Sequence, residues 1–313
     1  MTTMKAIRMY EYGPASVLRY EDAPLPDVGS DEVRVAVSAV GVNPVDWKIR
    51  AGYLQAMLPL AFPWTPGLDF SGVIEKVGAN VTSFAVGDEV FGKTDLPHDG
   101  SYAEFVTVST RGIVHKPQGI GYTLAAAIPC AALTAWQALF GDGSIKLAAG
   151  QTLLILGAAG GVGSFAVQLA KWKGIRVIAA GRAAQESYLR SLGADAFIDT
   201  ALEDLSSAGE VDAVLDLVGG DLQERGWAQL IRGGVYASTI SAPDPDKAID
   251  RTARTLFVFT QTNAQQLEDI SALVEMGTIN VHVAKTFPLE KAGEAHTHLE
   301  SHGIAGKTVL VVR

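Results

Sequence analysis

A glycine-rich turn between an apolar run and a helical pattern is the feature that most constrains this fold. Residues 152–171 read TLLILGAAGGVGSFAVQLAK. The run 153–156 is uniformly apolar, which is typical of a strand buried on both faces. After Gly163 the apolar residues follow helical spacing. The stretch therefore predicts strand, tight turn and helix.

The turn also matches the A-x-G-x-x-G form of the dinucleotide fingerprint. Ala158, Gly160 and Gly163 occupy its fixed positions. Gly160 and Gly161 have no Cβ, so a pyrophosphate can approach the main chain, and Gly163 lets the helix pack close to the strand. The N–H groups at the helix start would then face the phosphates. A glycine-rich turn can be a plain connection, but these flanks favour dinucleotide binding.

The end of the next predicted strand bears on the choice of cofactor. A carboxylate there would bind the ribose 2′-OH of NAD. The chain reads RVIAAGRAAQ over residues 176–185, with Gly181 and Arg182 at the expected point and no acid. A guanidinium would hold a 2′-phosphate, so NADPH is favoured. The alternative is that Arg182 is a solvated charge at a helix start.

Composition limits the class of protein and its surroundings. With 313 residues, 48% hydrophobic and 19% charged, the chain suits two well-packed domains. Its net charge of -9 argues against a nucleic-acid partner. A single cysteine, Cys130, excludes an internal disulfide framework. Pro129 breaks one long apolar stretch and the glycine turn divides another, so we expect no membrane span and a cytosolic location.

The order of patterns along the chain predicts an α/β protein of two domains. Residues 1–120 are β-rich, with short strands at 32–40, 72–77 and 102–108 that suit an antiparallel barrel. Strands and helices then alternate, which predicts a doubly wound parallel sheet over residues 121–263. Its edge strand, 255–259, is expected to pair with a second subunit. Residues 264–313 are expected to return to the first domain.

These stretches together carry a family resemblance that covers nearly the whole chain. The sequence resembles zinc-independent medium-chain dehydrogenase/reductases of the quinone oxidoreductase, or zeta-crystallin-like, group. The resemblance implies a GroES-like catalytic domain, a Rossmann domain and a homodimer formed through the Rossmann edge strand. The matching motifs are GVNPVDWKIRAG, PGLDFSGVIEKVG, VGDEVFG, GSYAEF, LTAW, GAAGGVGSFAVQLAK, LGAD, DLVGG and GKTVLVV.

The chain departs from its zinc-dependent relatives at the metal ligands. Asn43 stands at the first ligand position, Leu68 replaces the ligand histidine, and only Cys130 falls at a ligand position. One thiol cannot supply a site that needs three protein ligands, so we expect no metal. Without a Lewis acid, quinones or α,β-unsaturated carbonyls are the favoured small-molecule acceptors of hydride.

The resemblance also implies four residues on the acceptor side. Asn43 is a donor to the acceptor oxygen or a residue that fixes the Asn-Pro turn. Lys48 is an enolate-stabilising group, a contact to the nicotinamide ribose or a solvated lysine. Tyr53 is a donor or a stacking surface, and Thr134 places a hydroxyl near the nicotinamide.

The sequence also bears on several further positions. Tyr188 could cover adenine or pack on its own helix. Asp46 is expected to order its loop, and His296, His298 and His302 to form a solvated helix end. The cofactor contacts carried over by position are Gly160, Gly161, Val162, Gly181, Arg182, Thr200, Val218, Gly219 and Phe259.

Two other functions remain open from the sequence. An enoyl-thioester reductase shares the fold and the hydride chemistry, but it would need a basic channel that this acidic chain gives no sign of. An NADPH-binding protein with a structural or regulatory role would keep the glycine turn without turnover.

Overall fold

Two main sheets of different kinds organise the molecule. The computed structural model describes residues 3–202, 204–301 and 303–313. Within these ranges one sheet has seven strands and is mostly antiparallel, and the other has six strands, all parallel. This is the predicted α/β class, a GroES-like β domain combined with a Rossmann sheet.

The N-terminal half of the β domain is built from valine-rich alternation. Its elements are β1 (Thr3–Arg8), β2 (Arg19–Pro24), β3 (Glu32–Val42), α1 (Pro44–Arg50), β4 (Asp69–Val77), β5 (Glu89–Lys93), β6 (Phe105–Ser109) and β7 (Ile113–His115). Along β3, Val33, Val35 and Val37 are fully buried while the residues between them are half-buried. That alternation places one face of β3 on the core, while β4 and β6 pair with β3 within the sheet.

A helical connection leads into the Rossmann sheet. The elements in order are α2 (Tyr122–Ala125), α3 (Pro129–Phe140), β8 (Thr152–Leu156), α4 (Gly161–Trp172), β9 (Arg176–Gly181), α5 (Glu186–Ser191), β10 (Ala196–Asp199), β11 (Val211–Asp216), α6 (Gly220–Gln229), β12 (Leu230–Ser238), α7 (Pro245–Arg251) and β13 (Arg254–Phe257). The strand order is β10-β9-β8-β11-β12-β13. All six strands therefore end at the same edge, where ligands bind in such sheets.

The C-terminal segment contributes to both halves of the molecule. It forms α8 (Ala264–Glu275), β14 (Val283–Pro288), α9 (Ala292–Glu300) and β15 (Lys307–Val311). Buried residues of α8, among them Leu267 and Ile270, join the core that holds α3 and α4. The last strand pairs with β3 in the β domain. Immediately before it, the Gly306 N–H donates to the Ala159 carbonyl oxygen of the glycine turn, at 2.8 Å.

Several element boundaries differ from the sequence expectations. The edge strand β13 ends at Phe257, so Phe259 lies beyond it. The strand expected from Tyr102 begins only at Phe105, and Tyr102 is a fully buried side chain that precedes it. The helix α7 follows an Asp244 cap that the sequence reading overlooked.

One apolar stretch has the length and hydropathy of a membrane span. Within the described residues, the helical stretch Tyr122–Phe140 is long and apolar enough to cross a membrane. However, 67% of its most apolar 18-residue segment is buried inside the fold. Its buried face packs in the same core as α4. The apolarity of this stretch is thus accounted for by packing between the two halves of the molecule.

Gly163→Ala tests the predicted close packing of α4 on β8. A Cβ at residue 163 would lie 2.5 Å from the Ala158 carbonyl oxygen, which is main chain and has no rotamer to adopt. We expect a loss of roughly 1–3 kcal/mol in the free energy of unfolding, measured in urea. Gly121→Ala is the matched control, since nothing lies within 4 Å of its added Cβ. Equal losses in the two variants would contradict the packing role.

Candidate active site

The glycine turn lies at the carboxyl end of β8, between the two halves of the molecule. Gly160 is the N-cap of α4, and Gly160, Gly161 and Val162 are partly accessible. The first N–H groups of a helix have no partner within the helix, so they are available to a phosphate. Ala158 and Gly163 are buried and serve packing. The structure thus separates the predicted fingerprint into accessible residues and packing residues.

The ends of β9 and β10 place Gly181, Arg182 and Thr200 together. The Thr200 N–H and hydroxyl both donate to the Gly181 carbonyl oxygen, at 2.8 and 3.2 Å. Arg182 is exposed, and its guanidinium lies against Gly303 of the C-terminal segment. The Gln185 amide also donates to the Gly303 carbonyl oxygen, at 3.0 Å. No acid ends β9, as the sequence indicated.

Two further predicted cofactor residues follow β11. The Asp216 carboxylate accepts the Val218 and Gly219 N–H groups, at 3.0 and 2.8 Å, and so fixes this turn. The Val218 side chain lies against the glycine turn, since a Cβ on Gly157 would be 2.6 Å from it. Phe259 is 57% exposed beyond β13. These residues border the same edge of the parallel sheet.

Tyr188 takes the second of its two predicted positions. Its ring packs against the His282 ring, with centroids 5.1 Å apart, and burial raises the pKa of its hydroxyl. The side chain is half-buried on α5 and contributes to the core. Packing therefore accounts for Tyr188.

On the acceptor side, Asn43 is held by charged groups. Its amide nitrogen donates to Asp69 Oδ2 at 2.9 Å and to the Gly41 carbonyl oxygen at 3.4 Å. Its amide oxygen accepts from Lys307 Nζ at 2.5 Å. Its N–H donates to Asp46 Oδ2 at 2.7 Å, at the start of α1. Both amide hydrogens are thus engaged within the protein, as expected of a residue that fixes the Asn-Pro turn.

Lys48 and Tyr53 lie on and just after α1. Lys48 is half-buried, its Nζ is 6.0 Å from the Trp47 ring centroid, and burial lowers the pKa of its ammonium. Among the described residues, none forms a hydrogen bond or ion pair with the Lys48 ammonium, while the Lys48 carbonyl oxygen accepts from the Tyr53 N–H at 3.0 Å. Tyr53 is 71% exposed and meets the Trp47 ring edge to face, with centroids 5.8 Å apart. The Lys48 ammonium therefore lies beside one indole ring, and its donors are available.

Thr134 lies on α3, the helix that leads into the parallel sheet. Its hydroxyl donates to the Cys130 carbonyl oxygen at 2.6 Å and contacts the Thr260 hydroxyl. The Cys130 N–H in turn donates to Asp69 Oδ1 at 2.9 Å. Asp69 thereby connects α3 to Asn43 and to the start of α1.

A buried hydrogen-bond chain supports α1 from behind. Arg50 can only donate, so its contact to His296 Nδ1, at 3.4 Å, assigns the proton of that ring to Nε2. His296 Nε2 lies 3.0 Å from the Tyr102 hydroxyl, which reaches Asp46 Oδ2 at 3.3 Å. Burial lowers the pKa of His296 to about 3 and raises that of Asp46 to about 7. Arg50 also forms an ion pair with Glu300, at 2.8 Å.

This hydrogen-bond network shows that the expectation of a solvated histidine cluster was wrong for His296. His296 is fully buried, while His298 is half-buried against the Phe287 ring and His302 lies outside the described residues. Asp46 orders its loop, as predicted. Sequence reasoning gave no role to Tyr102 or Lys307, although GSYAEF and GKTVLVV were recognised as motifs.

Comparisons with known proteins agree with this fold. Residues 29–118 match the alcohol dehydrogenase GroES-like domain, and residues 192–310 match the zinc-binding dehydrogenase family. The mitochondrial NAD(P)H oxidoreductase RTN4IP1 of Mus musculus is 33% identical over 99% of this chain and 90% of its own length. The 2-methylene-furan-3-one reductase of Solanum lycopersicum is 33% identical over 98% of this chain and 79% of its own length.

A solved structure extends the likeness to three dimensions. The quinone oxidoreductase from Coxiella burnetii superposes with a TM-score of 0.94 at 34% identity, with all of both chains covered. The fold and the site define an NAD(P)H-dependent oxidoreductase of the quinone oxidoreductase type. The chain belongs to the medium-chain dehydrogenase/reductase superfamily, within the quinone oxidoreductase and RTN4IP1-like family.

The residues at the zinc-ligand positions of the superfamily do not fit a zinc ion. Asn43 has its amide engaged, Leu68 is a buried hydrocarbon, and burial raises the pKa of the Cys130 thiol to about 12. Zinc requires a thiolate, imidazole or carboxylate at such positions. Across the described ranges, no group of three or more His, Cys, Asp or Glu side chains could hold a metal.

Asp46→Asn tests the buried hydrogen-bond network through the pH dependence of the free energy of unfolding. The pKa of Asp46 is raised from 3.8 to about 7 in the fold, so its protonated form stabilises the native state, and this contribution is lost as pH rises through about 4 to 7. Across that window the free energy of unfolding of the wild type should fall relative to Asp46→Asn, by up to roughly 4 kcal/mol. Urea denaturation at several pH values measures this, and parallel curves would contradict it.

Proposed function

We propose that this chain is an NADPH-dependent, zinc-independent reductase that transfers hydride to quinones or α,β-unsaturated carbonyls. The observation that carries the cofactor choice is the end of β9. Arg182 is exposed there, one residue after Gly181, whose carbonyl oxygen accepts from Thr200, and no carboxylate ends the strand. A guanidinium in this position favours a 2′-phosphate over a 2′-hydroxyl, because it forms charge-assisted hydrogen bonds to the additional anion.

The acceptor class is inferred from the groups at the start of α1. The residues at the zinc-ligand positions offer no Lewis acid, so the acceptor must take hydride with hydrogen-bonding assistance alone. Lys48 has available donors beside the Trp47 ring, which the Tyr53 ring meets in turn. A planar conjugated carbonyl suits such an environment. The names of a quinone oxidoreductase and a furanone reductase among the relatives support the same class.

The chemistry divides between the cofactor and this chain. When bound, the reduced nicotinamide supplies a hydride. The main chain at Gly160, Gly161 and Val162 would hold the pyrophosphate, and the turn at Val218 and Gly219 would border the cofactor. Lys48 Nζ donates a hydrogen bond to the carbonyl oxygen where negative charge develops. Its lowered pKa makes its proton easier to transfer to that oxygen.

We also propose that the protein forms a homodimer through β13. This strand is at the edge of the parallel sheet and pairs only with β12 among the described strands. Phe257, on this strand, is 46% exposed. Antiparallel pairing with β13 of a second copy would cover the exposed main-chain groups and continue the sheet.

Arg182→Ala tests the cofactor choice. Loss of a charge-assisted contact to the 2′-phosphate should raise the KM for NADPH by about tenfold or more and leave that for NADH within about twofold. Initial rates with each cofactor measure this. Arg190→Ala, which removes an exposed arginine from α5 in the same domain, should change neither value. Equal losses for NADPH and NADH in Arg182→Ala would contradict the proposal.

Lys48→Met tests the role of the lysine across an acceptor panel. NADPH oxidation is measured with 1,4-benzoquinone, 9,10-phenanthrenequinone, acrolein and 2-hexenal. If Lys48 stabilises an enolate, kcat for the enals should fall by about a hundredfold, and kcat for the quinones much less. Lys76→Met, an exposed lysine on β4, is the control. Tight NADPH binding without turnover by the wild type would instead favour a binding module.

A further inference from the structure

A buried ammonium lies among the residues that correspond to zinc-ligand positions. Lys307, the first residue of β15, is 4% exposed. Its Nζ lies 2.5 Å from Asn43 Oδ1, 3.3 Å from the Val42 carbonyl oxygen and 3.5 Å from Asp69 Oδ2. Each partner is an oxygen atom. A single cation therefore gathers an amide, a carbonyl and a carboxylate.

Asp69 is the anion that this cation accompanies. It is fully buried, and burial raises the pKa of its carboxyl while the Lys307 ammonium opposes that shift. Its two oxygens accept from the Cys130 N–H and the Asn43 amide. The carboxylate thus joins Asn43 and Cys130, two of the ligand positions, and directly follows Leu68, the third. Burying such a group requires a compensating charge and hydrogen bonds.

The same lysine also reaches the cofactor turn. A Cβ added to Gly161 would lie 2.9 Å from Lys307 Cδ, so the lysine stem packs directly on the start of α4. The preceding residue, Gly306, donates its N–H to the Ala159 carbonyl oxygen. Residues 306 and 307, where β15 begins, therefore contact the glycine turn through the Gly306 main chain and the Lys307 stem, and contact Asn43 through the Lys307 ammonium.

We propose that Lys307 is a positioning residue whose ammonium takes the place of a metal ion at the centre of this junction. It pairs with Asp69, fixes Asn43 and so holds the acceptor side at a set distance from the cofactor turn. The catalytic part of this inference rests on the proposed reductase function. The structural part, a cation that joins three elements, does not depend on it.

A double-mutant cycle between Lys307 and Asp69 tests the proposal. Lys307→Met removes the charge at nearly constant length, Asp69→Asn removes the partner charge, and Lys307→Arg keeps the cation. Lys285→Met, an exposed lysine on the neighbouring strand β14, is the control. Each full-length variant is measured for Tm, for NADPH affinity by fluorescence titration, and for kcat with the acceptor panel at saturating NADPH.

We expect Tm to report the charge pair and kcat to report the positioning of the acceptor side. Lys307→Met should lower Tm by about 5 °C or more, because it leaves a buried carboxylate unpaired. Adding Asp69→Asn should recover about half of that loss or more, while kcat stays at least about tenfold below the wild type. The NADPH Kd should change by less than about threefold. Lys307→Arg should keep most of the Tm. If Lys307→Met does not fold, Lys307→Arg and the double variant still supply the comparison.

Four outcomes would overturn the proposal. The double variant with wild-type kcat would limit Lys307 to stability. A tenfold weaker NADPH affinity with unchanged kcat would make it a phosphate ligand. No recovery of Tm in the double variant would show that Lys307 does not act by pairing with Asp69. About one tightly bound metal ion per wild-type chain would supply another cation. Absence of turnover in the wild type would count against the proposed function, while Tm and Kd would still test Lys307.

Discussion

The buried pair of Asp69 and Lys307 is the interaction on which the arrangement of the site depends. A charge removed from water is tolerated only if neighbouring groups replace its hydration. The groups that do so here come from separate parts of the chain: Asn43 before α1, Cys130 at the start of α3, and the lysine itself from β15. Since Lys307 also packs on Gly161, satisfying this one carboxylate brings the cofactor turn and the acceptor side together.

In a second buried network, the donor of each hydrogen bond follows from the chemistry of the side chains alone. A guanidinium has no acceptor, so Arg50 fixes the ring of His296 in one tautomer, and the remaining proton of that ring points toward Tyr102. Tyr102 is then free to donate to Asp46, which in turn caps the Asn43 turn. The C-terminal helix α9 thereby orients α1, although the two helices are separated by most of the sequence. Both hydrogen-bond networks converge on the turn at Asn43, one through Asp46 and the other through Asp69.

Periodicity and turn chemistry were enough to predict the parallel sheet and its strand–turn–helix unit, while the binding of a cofactor at that turn stays a prediction. The alternation of strands and helices gave the parallel sheet, and the missing Cβ of Gly163 gave the contact between α4 and β8, because both depend on residues close in sequence. Lys307 and His296 could not be assigned in this way. Their partners lie more than 190 residues away, and an isolated lysine or histidine has the pattern of a solvated charge until the fold buries it. Whether Arg182 selects NADPH remains a prediction, because only the approach of a ligand tests it.

The pairing of β3 with β15 joins the first and last parts of the chain, and this orders assembly. Every strand of the parallel sheet comes from residues 152–257, so all six strands are synthesised before the C-terminal segment. The β domain, by contrast, holds a gap beside β3 until the last strand arrives, and long-range pairing of this kind is slow to form. A chain cut short before Lys307 would contain every strand of the parallel sheet but lack the strand that closes the site. Activity thus depends on residues synthesised after the whole parallel sheet, and a product that lacks β15 would expose the unpaired edge of β3.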